Sequence, residues 1–450
     1  MNDALSSLRE RWRTIAGAAQ GVLLRVPATE LGPRDIAHVR SEIAACIDGR
    51  GGDVASRARA AALGRTYLGL SALGRAQFLG VLASFSVDRF TVARLARTLE
   101  GATDAEEFGV AANALRTALE PPAIALFKQF NSLPSGVKFL VDLRAEVLAI
   151  GDDDPALQRL ERELRELLAS WFDIGFLTLQ RITWNAPAAL LERIAGYEAV
   201  HEVRHWRDLK NRLDTDRRCY AFFHPLMPDE PLIFIEVALT TDIAGAIGPL
   251  LDTSAPLEDT QRATTAIFYS ISNCQRGLAG ISFGNALIKR VVSDLAHDFP
   301  HVRTYATLSP LPGFLAWLRS REAADSPLLS TLARRHWYRD PDVVAVVRQP
   351  LLQLSAQYLL EEKRRNGNAL DPVAHFHLSN GARVERIDWL ADLSPKGMRD
   401  SAGMMVNYLY ARERIDENHE VYSSGGKIAH SSSIRALLNG KTEAPRSKDA

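Results

Sequence analysis

The run from Thr265 to Arg290 constrains this chain more than any other. Thr265 to Asn273 has the Ile, Phe, Tyr and Thr content of a strand, glycines follow at 277, 280 and 284, and Leu287, Ile288, Val291, Val292 and Leu295 then repeat at helical spacing. A strand, a glycine loop and a helix in that order can build an anion site. Glycines let backbone N–H groups converge on one point, and the positive end of the helix adds to their field, so a phosphate binds without a dedicated side chain. The plainer use of such a loop is a tight connection.

The spacing matches neither of the two best known phosphate loops. It lacks a Gly-Lys-Ser/Thr ending, and it is not Gly-x-Gly-x-x-Gly after a first strand with an acid further on. It is more similar to the Gln/Arg-x-x-Gly-x-Gly/Ala loop with which acetyltransferase-like folds hold the pyrophosphate of coenzyme A. On that reading the binding residues are Gln275, Arg276, Gly277, Leu278, Ala279, Gly280, Gly284 and Asn285. Lys289, Arg290, Arg364 and Arg365 are further candidates for the phosphates, each also explicable as a solvated charge.

A chain of 450 residues exceeds what one hydrophobic core usually serves, so two or three domains are expected. Its 54 basic and 54 acidic residues cancel, which argues against nucleic acid or an anionic membrane as the main partner. Cys46, Cys219 and Cys274 lie far apart and form no Cys-x-x-Cys pair, so neither a zinc ribbon nor a disulfide framework is indicated. No apolar run reaches the roughly 18 residues that span a bilayer, and the acids near the start do not suit a signal or transit peptide. A reducing cytoplasm is the expected compartment.

Residues 1–195 read as helical almost throughout. Asp152-Asp153-Asp154-Pro155 is a cap and proline start for a helix with Leu157, Leu160, Leu164, Leu167, Leu168 and Trp171 on one side, and Asn185-Ala186-Pro187 is a second such start. No repeat period is present, and no catalytic residue is expected before about position 200. From about 215 the texture changes. Arg218 to His224, Pro231 to Thr240, Thr265 to Asn273 and Val302 to Leu308 read as strands with helices between and after them. The fold class is therefore α+β: an all-helical domain over 1–195, a mixed α/β domain of acetyltransferase-like (GNAT-type) order over 196–437, and a polar tail over 438–450.

Two segments carry candidate chemistry. Ser309 stands at the end of a β-run, before Pro310 and Pro312. Ala374-His375-Phe376-His377-Leu378-Ser379-Asn380-Gly381-Ala382 alternates polar and apolar residues and closes on Asn-Gly, so as a strand it would place His375 and His377 on one face. The alternatives are a turn serine and a satisfied core histidine. His-x-His also suits zinc, but no third and fourth ligand stand at a convincing spacing, so no metal is expected.

Six phrases in order then resemble the malonyl-CoA decarboxylase family: Phe222-Phe223-His224-Pro225, Ala266 to Ser272, Leu287 to Val292, Leu308-Ser309-Pro310-Leu311-Pro312-Gly313-Phe314, Phe376 to Ala382, and Asn407-Tyr408-Leu409-Tyr410. The likeness spans about 190 to 435. It implies a helical oligomerisation domain, in a dimer or tetramer, ahead of an acetyltransferase-like domain that turns malonyl-CoA into acetyl-CoA and carbon dioxide. It also implies that Ser309 and His377 are catalytic. One departure is Ser282, where some relatives carry glutamate. The chemistry needs neither metal nor organic cofactor, because the thioester carbonyl accepts the electrons released, and coenzyme A enters as part of the substrate. An acyltransferase of the same fold is the alternative. Eukaryotic relatives can end in a peroxisomal Ser-Lys-Leu, whereas this chain ends Ser447-Lys448-Asp449-Ala450, which is the expectation for a cytoplasmic bacterial enzyme.

Overall fold

A computed structural model describes residues 8, 9, 11–13, 15, 29–151, 153–281, 286–323 and 326–440. The chain divides into two compact units. The first takes Met1–Asp173 with the short segments Pro225–Pro228 and Gln275–Ser282; the second takes the rest.

The first unit is helical, and local signals set its helices. In Pro155–Trp171 the Asp154 carboxylate accepts from the N–H groups of Ala156 and Leu157, and Leu157, Leu160, Leu164 and Leu168 form the buried stripe. Each such leucine contributes about 1.5–3 kcal/mol relative to leaving it exposed. The core gathers aromatic rings: Trp12 lies 4.9 Å from Phe139 and 6.0 Å from Phe130, and its Nε1–H donates to the Pro134 carbonyl at 2.9 Å.

The second unit is built on one eight-stranded sheet. Its strands are β1 (Thr178–Ile182), β2 (Arg217–Phe223), β3 (Ile233–Thr240), β4 (Thr265–Asn273), β5 (Thr304–Thr307), β6 (Ser309–Pro310), β7 (Arg383–Asp388) and β8 (Met405–Leu409). β1 to β4 pair antiparallel in order, β4 and β5 pair in parallel, and β8 pairs antiparallel with β5, β6 and β7. This is the acetyltransferase-like order. The helix Ala286–Asp298 connects the parallel pair, as such a pair requires.

β2 is buried along its whole length and β3 all but its last residue, and the two strands carry buried charges at Arg217, Arg218 and Glu236 within otherwise largely apolar runs. β1 corrects the expectation of helix up to 195. It is an edge strand, half exposed, and its five residues form a strand through their ladder with β2. The ten residues from 441 of the polar tail lie outside the described residues.

Candidate active site

β4 and β5 separate at the position that matters for chemistry. Their register ends at Phe268 and Thr307, while β4 runs on to Asn273. The β3–β4 register also slips at Glu236/Val237, so that Ser270 pairs with Glu236, Phe268 with Val237, and Tyr269 is the extra residue of a bulge. Beyond this point β5 gives way to β6, and Ser309 enters.

Ser309 is buried and bonds to side chains, not to a turn backbone. Its Oγ donates to Thr307 Oγ1 at 2.8 Å and lies 2.9 Å from His377 Nε2. A serine has one proton, so with that proton on Thr307 the second contact requires Nε2–H on His377 to donate to Ser309. Nδ1 is then the acceptor, and the Tyr410 hydroxyl donates to it at 2.8 Å. Tyr408 stacks on the imidazole with ring centroids 4.6 Å apart. Every partner is neutral. Burial alone pushes the His377 pKa down to about 3 and raises the Tyr410 phenol well above its ordinary range; burial, with the nearby Asp371 charge, does the same to Tyr408.

His377 reaches this place from a helix, Pro372–Ser379, not from the strand expected for 374–382. Asp371 caps that helix, its carboxylate accepting from Val373 and Ala374 N–H at 2.9 Å each. Asn380-Gly381 is the helix stop: Gly381 takes φ +83°, its N–H donates to the Leu378 carbonyl, and Ala382 N–H donates to the His377 carbonyl. A helical turn of about 100° per residue puts side chains two apart on opposite sides, so His375 does not share a face with His377. It contacts Tyr422 Oη through Nδ1 at 2.8 Å instead.

The glycine loop stands in the first unit by this division. Arg144, which is buried, donates to the Gly277 carbonyl at 2.6 Å and the Ala279 carbonyl at 2.8 Å, and pairs with Glu161 at 2.6 Å. A trans peptide holds N–H and C=O antiparallel, so the grip on Ala279 turns the Gly280 N–H the other way. Gly277 is required because a Cβ there would run into the Val141 carbonyl, and Gly280 adopts φ +73°. Gly284 and Asn285 of the expected set, and Ser282, lie outside the described residues.

Several supporting residues escaped the sequence reading. Tyr410, Tyr408 and Asn407 stand in a quoted phrase without a role. The Asn407 Nδ2 donates to the Thr307 carbonyl at 2.7 Å and the Ala244 carbonyl at 3.0 Å. Asp371-Pro372 carried the same start signal as Asp154-Pro155 and would have given the helix. Arg144 had no local signal at all. Among the described residues, no group of three or more His, Cys, Asp or Glu is placed to hold a metal ion.

Fold and site together define a class, an acetyltransferase-like α+β protein with a buried serine–histidine pair where the parallel strands part. Comparisons narrow it. A family model described as malonyl-CoA decarboxylase C-terminal domain matches residues 175–448, and one described as malonyl-CoA decarboxylase N-terminal domain matches 85–172. The mitochondrial malonyl-CoA decarboxylase of Anser anser anser is 38% identical over 420 residues, covering 85% of this chain and 83% of that one. That of Rattus norvegicus is 38% identical over 411 residues, covering 83% of each. Among solved structures, malonyl-CoA decarboxylase from Rhodopseudomonas palustris superposes with a TM-score of 0.84 at 44% identity, covering 89% of this chain and 99% of that one. The Agrobacterium vitis protein gives 0.82 at 40% identity, with 89% and 99% covered. The chain belongs to the malonyl-CoA decarboxylase family, and so is a carbon–carbon lyase.

Proposed function

We propose that the chain decarboxylates malonyl-CoA through Ser309 and His377 without metal or organic cofactor. The contact of Ser309 Oγ with His377 Nε2 at 2.9 Å is the observation that carries this reading. Loss of carbon dioxide leaves two electrons that move into the thioester carbonyl as an enolate, so the substrate is its own electron sink. The protein has to hold the carboxylate out of the carbonyl plane, stabilise the enolate oxygen and return one proton to the α-carbon.

Ser309 is the group of the pair that meets the malonyl unit, and His377 orients and polarises it from behind. His377 is neutral at ordinary pH, so the pair carries no fixed charge, and the Ser309 hydroxyl becomes a donor to the malonyl unit by turning its proton away from Thr307. The proton for the α-carbon passes through this pair and is replaced from water, giving acetyl-CoA and carbon dioxide with one proton consumed. Gln275 to Gly280, with Gly284 and Asn285, hold the coenzyme A pyrophosphate.

The test is to incubate the protein with malonyl-CoA and no added metal, and to follow both products by mass spectrometry. Stoichiometric acetyl-CoA and carbon dioxide support the reading; release of free coenzyme A with acyl transfer would replace it by the acyltransferase alternative.

The helical residues 1–195 serve assembly in this reading, with 196–437 as the catalytic part. Among the described residues, the helix Arg89–Glu100 buries none of its own and Ala105–Leu119 only Ala111, while Phe90 is 72% and Val110 68% exposed. Paired helices this bare suit cover by a second copy. Light scattering should show a dimer or larger, and Phe90→Asp with Val110→Asp should shift it to monomer. The three cysteines are free and buried, which suits a reducing cytoplasm. No helix among the described residues is long and apolar enough to cross a membrane.

A further inference from the structure

A cavity of about 290 Å³ in the second unit has no part in the chemistry above. It lies just under the ~300–1,000 Å³ of pockets for drug-sized ligands, so its occupant is small. Four cations from four segments line it: Arg383 opens β7, Arg414 ends the turn Arg412–Arg414, Lys427 follows the glycine that stops the helix Ile415–Gly425, and Arg435 lies in the helix Ser432–Leu438. His430 and Asn418 are its other polar lining, and no acidic residue lines it.

Acids stand near two of the cations but outside the cavity. Glu385 lies 2.7 Å from Arg383 Nε and Glu417 2.9 Å from Arg414 Nη2. Lys427 and Arg435 form no ion pair among the described residues. The chain as a whole is neutral, so this concentration is local. Like charges drawn together repel one another, and a bound anion relieves the cost.

We propose that this cavity binds a phosphate monoester dianion. Lys427 and Arg435, with the N–H groups that Arg383 and Arg414 do not spend on Glu385 and Glu417, offer charge-assisted donors to three terminal oxygens, and several cations match a dianion better than a single carboxylate. The site is tied to the serine–histidine pair through the backbone: Arg383 pairs in register with Leu409, and Ala411 follows Tyr410, which donates to His377. The phosphate comes either free from solution or as the ribose 3′-phosphate of coenzyme A. Only the second source rests on the decarboxylase reading, which fails separately if malonyl-CoA gives no acetyl-CoA.

The experiment is calorimetric titration of the full chain, in low-salt buffer free of phosphate, with inorganic phosphate in one arm and with coenzyme A against 3′-dephospho-coenzyme A in the other. The same titrations are run on Lys427→Gln/Arg435→Gln, whose side chains are exposed, so the fold should survive, as circular dichroism checks. Saturable phosphate binding that weakens about tenfold or more in the double variant supports a free-phosphate site. An about tenfold preference for coenzyme A over the dephospho form, lost in the variant, supports the ribose phosphate. If neither effect is seen in the native protein, or both persist unchanged in the variant, the proposal is overturned.

Discussion

The glycine loop and the serine–histidine pair are held by opposite means. Arg144 ties down loop carbonyls as a buried cation paired with Glu161, whereas Thr307, Tyr408 and Tyr410 hold the pair with neutral groups only. Under the proposed function the difference follows from what each would have to do. A loop that offers N–H groups to an anion gains from having its carbonyls fixed by a cation, which also adds positive field. A pair that offers neutral donors to a developing enolate gains from low dielectric, and a fixed counter-charge there would raise the histidine pKa again.

Removing the cation should show the larger stability effect. Arg144→Ala leaves the buried Gly277 carbonyl, the part-buried Ala279 carbonyl and Glu161 without their partner and should cost about 3–5 kcal/mol, toward the lower end because Glu161 and Ala279 are partly exposed. Denaturant unfolding measures it, and a change below ~1 kcal/mol would mean that the loop holds itself.

Ser309→Ala removes one donor and no charge. It should lower kcat by ~10²–10³-fold with coenzyme A still bound, and cost about 1–3 kcal/mol of stability because the buried His377 Nε2–H loses its acceptor. An unaltered kcat would move the chemistry away from the pair.

Tyr410→Phe sharpens the contrast further, because it touches only the far side of His377. Leaving Nδ1 a buried acceptor without its donor should cost about 1–3 kcal/mol and lower kcat more than it raises KM. A pure KM effect would make Tyr410 a binding residue.

The comparison can also be tested through acid stability, where each tenfold change in proton affinity is worth about 1.4 kcal/mol. His377 is pushed down to about 3 and His201 to about 4, both by burial, against an ordinary value of 6.5. A group with a depressed native pKa stabilises fully above its unfolded value, so the contribution of these two histidines should be flat above pH 6.5 and fall progressively toward pH 3. His377→Gln should flatten part of that slope in pH-dependent unfolding.

The loop, β2 to β5 and the position of Ser309 could be read from the chain because each rests on local pattern: apolar runs, glycines, and prolines that end a strand. The same kind of local reading failed at His377. Alternation over 374–378 suits a strand, but the Asp371-Pro372 start and the Asn380-Gly381 stop fix a helix, and capping bonds outweigh a short period-two pattern. β1 was missed for the converse reason, since an edge strand of five residues exists only through its ladder with β2.

The sequence by itself determined that a strand runs into a glycine loop and a helix, that Ser309 and His377 belong to one family pattern, and that the front of the chain is helical. Those are properties of neighbours along the chain. Only the tertiary structure decided that Ser309 and His377, 68 residues apart, touch at 2.9 Å. It also decided that Tyr410 completes their hydrogen bonds and that Arg144 reaches a loop 133 residues away. Contacts at such separation leave no periodicity, because the bonding partner of a buried polar group is chosen by the fold that buries it.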